Sequence, residues 1–189
     1  EIHFVCREHP GNLIDHILSK GYPVEVLPFM ATDASIGSGN EFAASPPHCA
    51  WLGGDWKSDA VMTGEYLDKI SPDWLVVDHY AIDAKWEKLL GRVCCLMVID
   101  DLTDRSHACN LLLNQNMGRT ADEYSSLTPI AAKVLTGPDY ALLRPEFSRL
   151  RSSSLERIRA RLGRIMIAMG GVDQTNVTSA VMEELKSID

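Results

Sequence analysis

An α/β fold built on parallel strands is predicted for this chain by two observations. Short apolar runs alternate with stretches of helical periodicity, the rhythm of crossover units on a parallel sheet. Three of those runs end in polar clusters, which is where such a sheet gathers its ligand-binding loops. The 189 residues, 46% hydrophobic and 23% charged, suffice for one sizeable core, so disorder, collagen and a disulfide miniprotein are excluded.

In chain order, Ile2-His3-Phe4-Val5-Cys6 reads as a strand near 2–6, followed by a helix over 12–19 and a strand near 23–27. Residues 33–47, rich in Ala, Ser, Gly and Pro and without periodicity, read as a loop; one that long is functional or mobile. A helix over 57–70 leads to a strand near 74–78, and a helix over 83–90 to a strand near 93–99. Strands near 110–114 and 131–135 precede a basic helix over 145–161, a strand near 164–169 and a last helix over 175–187. That helix has a Thr-containing start and carries Glu and Lys further on, complementing its dipole. Seven arginines between 144 and 164 read as the solvated face of a bridge between two lobes. The chain enters a strand almost at once, and 176–188 looks like the first helix after a strand. Both ends are therefore expected to be cut from a larger molecule.

Eighteen basic against 26 acidic residues give a net charge of -8, which argues against a nucleic-acid surface. An anionic ligand must then be held locally. The five cysteines include no CxxC pair; Cys94 and Cys95, adjacent in an apolar run, read as core thiols, and this usage suits a reducing cytoplasm. The longest strictly apolar run, 93–99, is far short of the ~20 residues of a membrane-spanning helix, and no signal peptide is visible.

The chemistry concentrates at three strand ends. Leu75-Val76-Val77 leads to Asp78-His79-Tyr80, Leu96-Met97-Val98-Ile99 to Asp100-Asp101, and Leu111-Leu112-Leu113 to Asn114-Gln115-Asn116. A parallel sheet brings these groups together. Each also has a plainer use: Asp78 as a helix cap, Asp100 or Asp101 as an Asx turn, and Tyr80 as a packed ring. For His79 three roles stand open: structural, ligand-contacting and proton-transferring. The acids with His79 and His107 do not have the spacing of a compact metal site, so no metal is expected. A second signal is Ile165-Met166-Ile167-Ala168-Met169-Gly170-Gly171-Val172-Asp173, an apolar run entering a Gly pair before a helix. That is the layout of a tight turn or of a phosphate cradle.

The order of these strings resembles one family. Leu75 to Asp83, Ile99-Asp100-Asp101-Leu102, Asn110 to Asn116, Gly137 to Phe147 and Met169 to Asp173 are similar to the PseG family of UDP-sugar hydrolases. The segment Trp51-Leu52-Gly53-Gly54-Asp55-Trp56, with Asp59, Ala60 and Thr63, looks like the family's stretch before the Asp-His-Tyr strand. The resemblance implies a two-lobed GT-B-like fold of Rossmann-type parallel sheets, similar to the lipid II synthase MurG. In those terms 1–145 is an N-terminal lobe lacking its first strand and loop, 146–163 a linker helix, and 164–189 the start of a truncated UDP-binding lobe.

It also implies the activity: water attacks the anomeric carbon of UDP-2,4-diacetamido-2,4,6-trideoxy-β-L-altropyranose, releasing UDP and free sugar for pseudaminic acid, a bacterial nonulosonate of flagellin glycosylation. By resemblance His79 and Tyr80 are catalytic. Asp78, Asp100, Asp101, Asn114, Asn116, Gly170, Gly171 and Asp173 contact substrate, and no metal or cofactor takes part. Such a reaction needs a base for water, support for an oxocarbenium-like centre and donors to the leaving diphosphate. The family's Gly-x-Gly-His segment, which carries its general base, is not among these residues, so this chain by itself is expected to be inactive. A GT-B glycosyltransferase using a UDP-sugar and a non-catalytic nucleotide-sugar binding module are the alternatives. The expected partners are a UDP-sugar and water, with no nucleic acid.

Overall fold

A computed structural model describes residues 1–30, 48–157, 163–169, 173 and 175–186. The chain divides into two compact units, Glu1–Leu142 and Leu143–Asp189. In the first, β1 (Phe4–Arg7), α1 (Ile14–Ser19) and β2 (Val24–Leu27) form one crossover unit. Then come α2 (Trp56–Ile70), β3 (Trp74–Val77), α3 (Ala84–Leu90), β4 (Cys95–Ile99), β5 (Leu111–Asn114) and β6 (Lys133–Thr136). All the strand pairs are parallel, in a two-stranded sheet β1-β2 and a four-stranded sheet β3-β4-β5-β6. The α/β prediction therefore holds for this unit.

Local chemistry sets the element ends. Asp55 accepts from the Ser58 amide at 2.9 Å to cap α2, and Asp83 accepts from the Lys85 amide at 2.8 Å to cap α3. Before α2, the 3₁₀ turn Cys49–Leu52 ends on Gly53 at φ 66°. A β-carbon there would stand 2.5 Å from the His9 ring, so only glycine fits the close approach.

The core forms on one face of the four-stranded sheet. Leu75, Val77, Leu96, Val98 and Leu112 point to it, where Ala60 and Leu67 of α2 and Trp86 and Leu90 of α3 cover them. The alternate residues point away, and there Trp74, Val76 and Cys95 are exposed. This corrects the reading of both Cys94 and Cys95 as core thiols. Cys94 packs against the core, whereas Cys95, one residue on, lies on the less covered face.

The two sheets are joined through α2. Arg7, the last residue of β1, contacts Asp59 Oδ2 at 2.5 Å, and the other Asp59 oxygen accepts from Trp86 Nε1 at 2.7 Å. His3 Nδ1 lies 2.8 Å from the Tyr66 hydroxyl about two turns further along α2. Among the described residues β1 pairs with β2 alone and β3 with β4 alone, so each has an open edge.

The second unit contains α4 (Pro145–Leu155) and α5 (Val177–Lys186). The strand expected near 164–169 is not formed: residues 163–169 are irregular, and Ile165 and Met166 are exposed. A strand is held by a neighbour's ladder, and among the described residues none lies beside this one. The predicted loop 33–47 and the end of the basic helix over 158–161 lie outside the described residues. Among the described residues no helix is long and apolar enough to cross a membrane.

Removing one partner of the buried Arg7–Asp59 pair leaves the other charge without compensation. Asp59→Leu is expected to lower unfolding free energy by about 3–5 kcal/mol in urea denaturation. The double variant Arg7→Met, Asp59→Leu is expected to recover most of that loss, because the stranded guanidinium is then gone as well.

Candidate active site at the ends of β3, β4 and β5

The parallel register sets Val77 beside Val98 and Ile99 beside Leu113, so the chain leaves these three strands at one rim. A cavity of about 300 Å³ opens there. Asp78, Tyr80, Asp101, Gln115 and Asn116 give it polar walls; Ile99, Leu113 and Leu142 line the rest with Asp100. Gln115 accepts from the Leu142 amide at 2.8 Å, which holds the segment after β6 in place.

Asp101 organises the wall. Its Oδ1 accepts from the Tyr80 hydroxyl at 2.8 Å and its Oδ2 from Asn116 Nδ2 at 3.2 Å, so one carboxylate ties the ends of all three strands. Donation to Asp101, with partial burial, pushes the Tyr80 phenol above its ordinary pKa. The phenol stays protonated near neutral pH and its oxygen remains an acceptor. The Trp51 and His48 rings lie tilted beside it, with the Trp51 and Tyr80 ring centres 6.0 Å apart, giving an aromatic shoulder next to the polar wall.

Beneath the wall lies a buried charged network. Asp100, 1% exposed, contacts Arg105 Nη1 at 2.7 Å and accepts from the Thr103 amide at 3.1 Å. The Tyr124 hydroxyl is shared between the Asp100 carbonyl at 2.9 Å and its carboxylate at 3.2 Å, and accepts from Asn114 Nδ2 at 2.9 Å. Desolvation drives the Tyr124 phenol well above its usual range, so it serves as a neutral hydroxyl. His107 is fully buried, its Nδ1 2.7 Å from Glu87 Oε1 and its Nε2 3.9 Å from Asp100 Oδ2. The second Glu87 oxygen accepts from the Ala108 amide. Thr103 is held at φ 55°, a left-handed conformation uncommon for a β-branched residue, by its amide bond to Asp100.

The structure thus brings Asp78, Tyr80, Asp100, Asp101 and Asn116 to one cavity. It does not bring every predicted residue there. His79 is not on the cavity wall; its Nδ1 accepts from the Ala81 amide at 3.1 Å, inside its own turn. Asn114, buried, lies behind the wall, where Oδ1 accepts from the Asn116 amide at 3.1 Å. Asp173 belongs to the second unit and caps α5, its oxygens accepting from the Val177 and Thr178 amides at 2.9 and 2.8 Å. Bonds from Thr178, side chain and amide, and from Val177 hold its carboxyl below the usual range. Gly170 and Gly171 lie outside the described residues. Sequence reasoning missed Gln115, which stood inside a noted cluster, and Leu142 and Glu87, which carry no local signature. Among the described residues no three His, Cys, Asp or Glu side chains converge as metal ligands.

No family model matches the chain. It is 32% identical over 112 residues to a UDP-2,4-diacetamido-2,4,6-trideoxy-β-L-altropyranose hydrolase of Campylobacter jejuni, a match covering 59% of this chain and 39% of the hydrolase. It is also 27% identical over 127 residues to an uncharacterized protein of Methanocaldococcus jannaschii, covering 65% of this chain and 26% of that protein. The chain therefore matches well under half the length of either relative, and it is distantly related to a protein named as a UDP-sugar hydrolase.

Proposed function

We propose that this chain is part of a hydrolase of a UDP-linked diacetamido-trideoxy sugar, and that the cavity at the ends of β3, β4 and β5 receives the sugar. The observation that carries this reading is the Tyr80–Asp101–Asn116 chain of hydrogen bonds across the rim. With Asp78, Asp101, the Tyr80 oxygen and the Gln115 and Asn116 amides, the wall is rich in acceptors. Hydroxyls and acetamido N–H groups are donors and match it. A diphosphate does not: Asp78, Asp100 and Asp101 repel it, and among them Arg105 neutralises Asp100 alone at direct contact. The UDP half then lies outside this cavity, and the carboxylate of Asp78 faces the positive charge that develops on the sugar as the anomeric bond breaks.

The same reading takes 1–145 as a Rossmann-like lobe, 146–163 as a linker helix and 164–189 as the start of a UDP-binding lobe. On this reading the edges that β1 and β3 leave unpaired among the described residues are where the family's first strand would add. Such a strand would add the loop that supplies the base for water. The described free cysteines are consistent with a reducing, cytoplasmic setting.

Titrating the chain with UDP-2,4-diacetamido-2,4,6-trideoxy-β-L-altropyranose is expected to shift the NMR signals of Tyr80, Asp101 and Asn116, with UDP alone leaving them in place. Asp101→Asn is expected to weaken binding about tenfold, the scale of one charge-assisted hydrogen bond. UDP release is expected from the full-length parent and not from this chain alone. No shift with the UDP-sugar, or the same shift with UDP, would refute the assignment.

A further inference from the structure

His79 stands between two residues of the cavity wall, Asp78 and Tyr80, yet is not itself on that wall. Its ring is turned into the loop that follows β3. The Ala81 amide donates to Nδ1 at 3.1 Å, and the Ile82 amide donates to the His79 carbonyl at 3.2 Å. The first of these bonds has the i to i+2 form in which Asn and Asp side chains brace a turn. An imidazole nitrogen that accepts an amide proton is unprotonated, so in the neutral ring the proton sits on Nε2. The one lone pair that could take a proton from water is thereby engaged by the backbone.

We propose that His79 is a positioning residue: its Nδ1 closes the turn that directs Asp78 and Tyr80 to the sugar, and it carries no proton in the reaction. The inference rests on the reading of the cavity as a sugar site, but its geometric part is tested without any ligand.

Protonation reverses the role of Nδ1, since an imidazolium offers a donor where the Ala81 amide requires an acceptor. The groups facing the ring are Asp59 of α2, His9 after β1, Arg105 after β4 and its neighbour Asp78. Burial dominates, and with the positive charge of Arg105 and the effect of His9 it outweighs the two carboxylates, so the His79 pKa lies below the ordinary imidazole value of 6.5. The neutral ring is the one the fold favours. Its contribution to stability is complete above pH 6.5, the unfolded value, and is lost as pH falls through the lower folded value. The Nδ1 bond is thus favoured at neutral pH and weakened on acidification.

The side-chain oxygen of Asn can occupy the place of Nδ1 and accept the same amide, whereas Gln is one methylene too long and Phe has no acceptor. Nitrogen-resolved NMR of the imidazoles in this chain at pH 7.5 is expected to show His79 as the Nε2–H tautomer; the Nδ1–H tautomer would overturn the proposal whatever the ligand does. With UDP-2,4-diacetamido-2,4,6-trideoxy-β-L-altropyranose as probe, His79→Asn is expected to bind within about twofold of the parent chain. His79→Gln and His79→Phe are expected to bind about five- to tenfold more weakly, the worth of one hydrogen bond. As pH is lowered below 6.5, affinity and melting temperature of the parent chain should fall relative to those of His79→Asn. In the full-length enzyme His79→Asn should keep kcat. Loss of turnover in a folded His79→Asn enzyme that still binds would show that His79 transfers a proton and overturn the proposal. No binding by the unaltered chain would refute the sugar site instead, leaving the tautomer as the test of the turn.

Discussion

The in-register parallel pairing of β3, β4 and β5 is the constraint on which the site depends. Parallel strands leave their sheet on the same side, and here Val77, Ile99 and Asn114 lie at the ends of three adjacent ladders. Side chains far apart in sequence, Tyr80, Asp101 and Asn116, come within hydrogen-bond reach because of that register. A slip by one residue in β4 would turn Leu96 and Val98 out of the core and carry Asp101 away from Tyr80. The hydrophobic pattern that specifies the core therefore also aligns the site.

A second layer makes the rim rigid. Asp100, Arg105, His107, Glu87, Tyr124 and Asn114 are all buried directly behind the wall, an expensive place for charges unless each is matched. Most are matched: Asp100 by Arg105, the Thr103 amide and Tyr124, and Glu87 by His107 and the Ala108 amide, while His107 Nε2, 3.9 Å from Asp100 Oδ2, has no hydrogen-bond partner among the described residues. The network joins α3, the loop after β4 and the 3₁₀ turn Ala121–Tyr124. Because a half-matched network is costly, it has few alternative arrangements, and Asp101 inherits a fixed position from it. The left-handed Thr103 is sustained in the same way.

The wall supported by this layer has a definite chemical character. Its acceptors outnumber its donors, and its charge is negative, in a chain that is itself at -8. Such a wall suits neutral hydroxyl and amide donors better than phosphates. Tyr80 joins the polar wall to the exposed ring of Trp51, so an apolar surface stands next to the polar groups.

Much of this was legible in the residues themselves. Alternation of apolar and amphipathic runs is a local property, so the strands and helices of the first unit fall within a few residues of where periodicity puts them. The polar clusters after the strands are local too, and they named Asp78, Tyr80, Asp101 and Asn116. What only tertiary structure decided is which way each polar group turns. Asn114 and Asp100 look like Asn116 and Asp101 in sequence, yet Asn114 is drawn behind the wall by Tyr124 and the Asp100 carboxylate is tied to Arg105 at the cavity's base, whereas Asp101 and Asn116 bond to each other across the rim. His79 is turned away by a backbone amide two residues on, and Cys95 is exposed because α2 and α3 cover the opposite face of its sheet. Periodicity depends on neighbours along the chain, whereas these outcomes depend on partners that the fold brings up, 10 residues on for Asn114 and five for Asp100, or on how a single turn closes, and neither is written in local pattern.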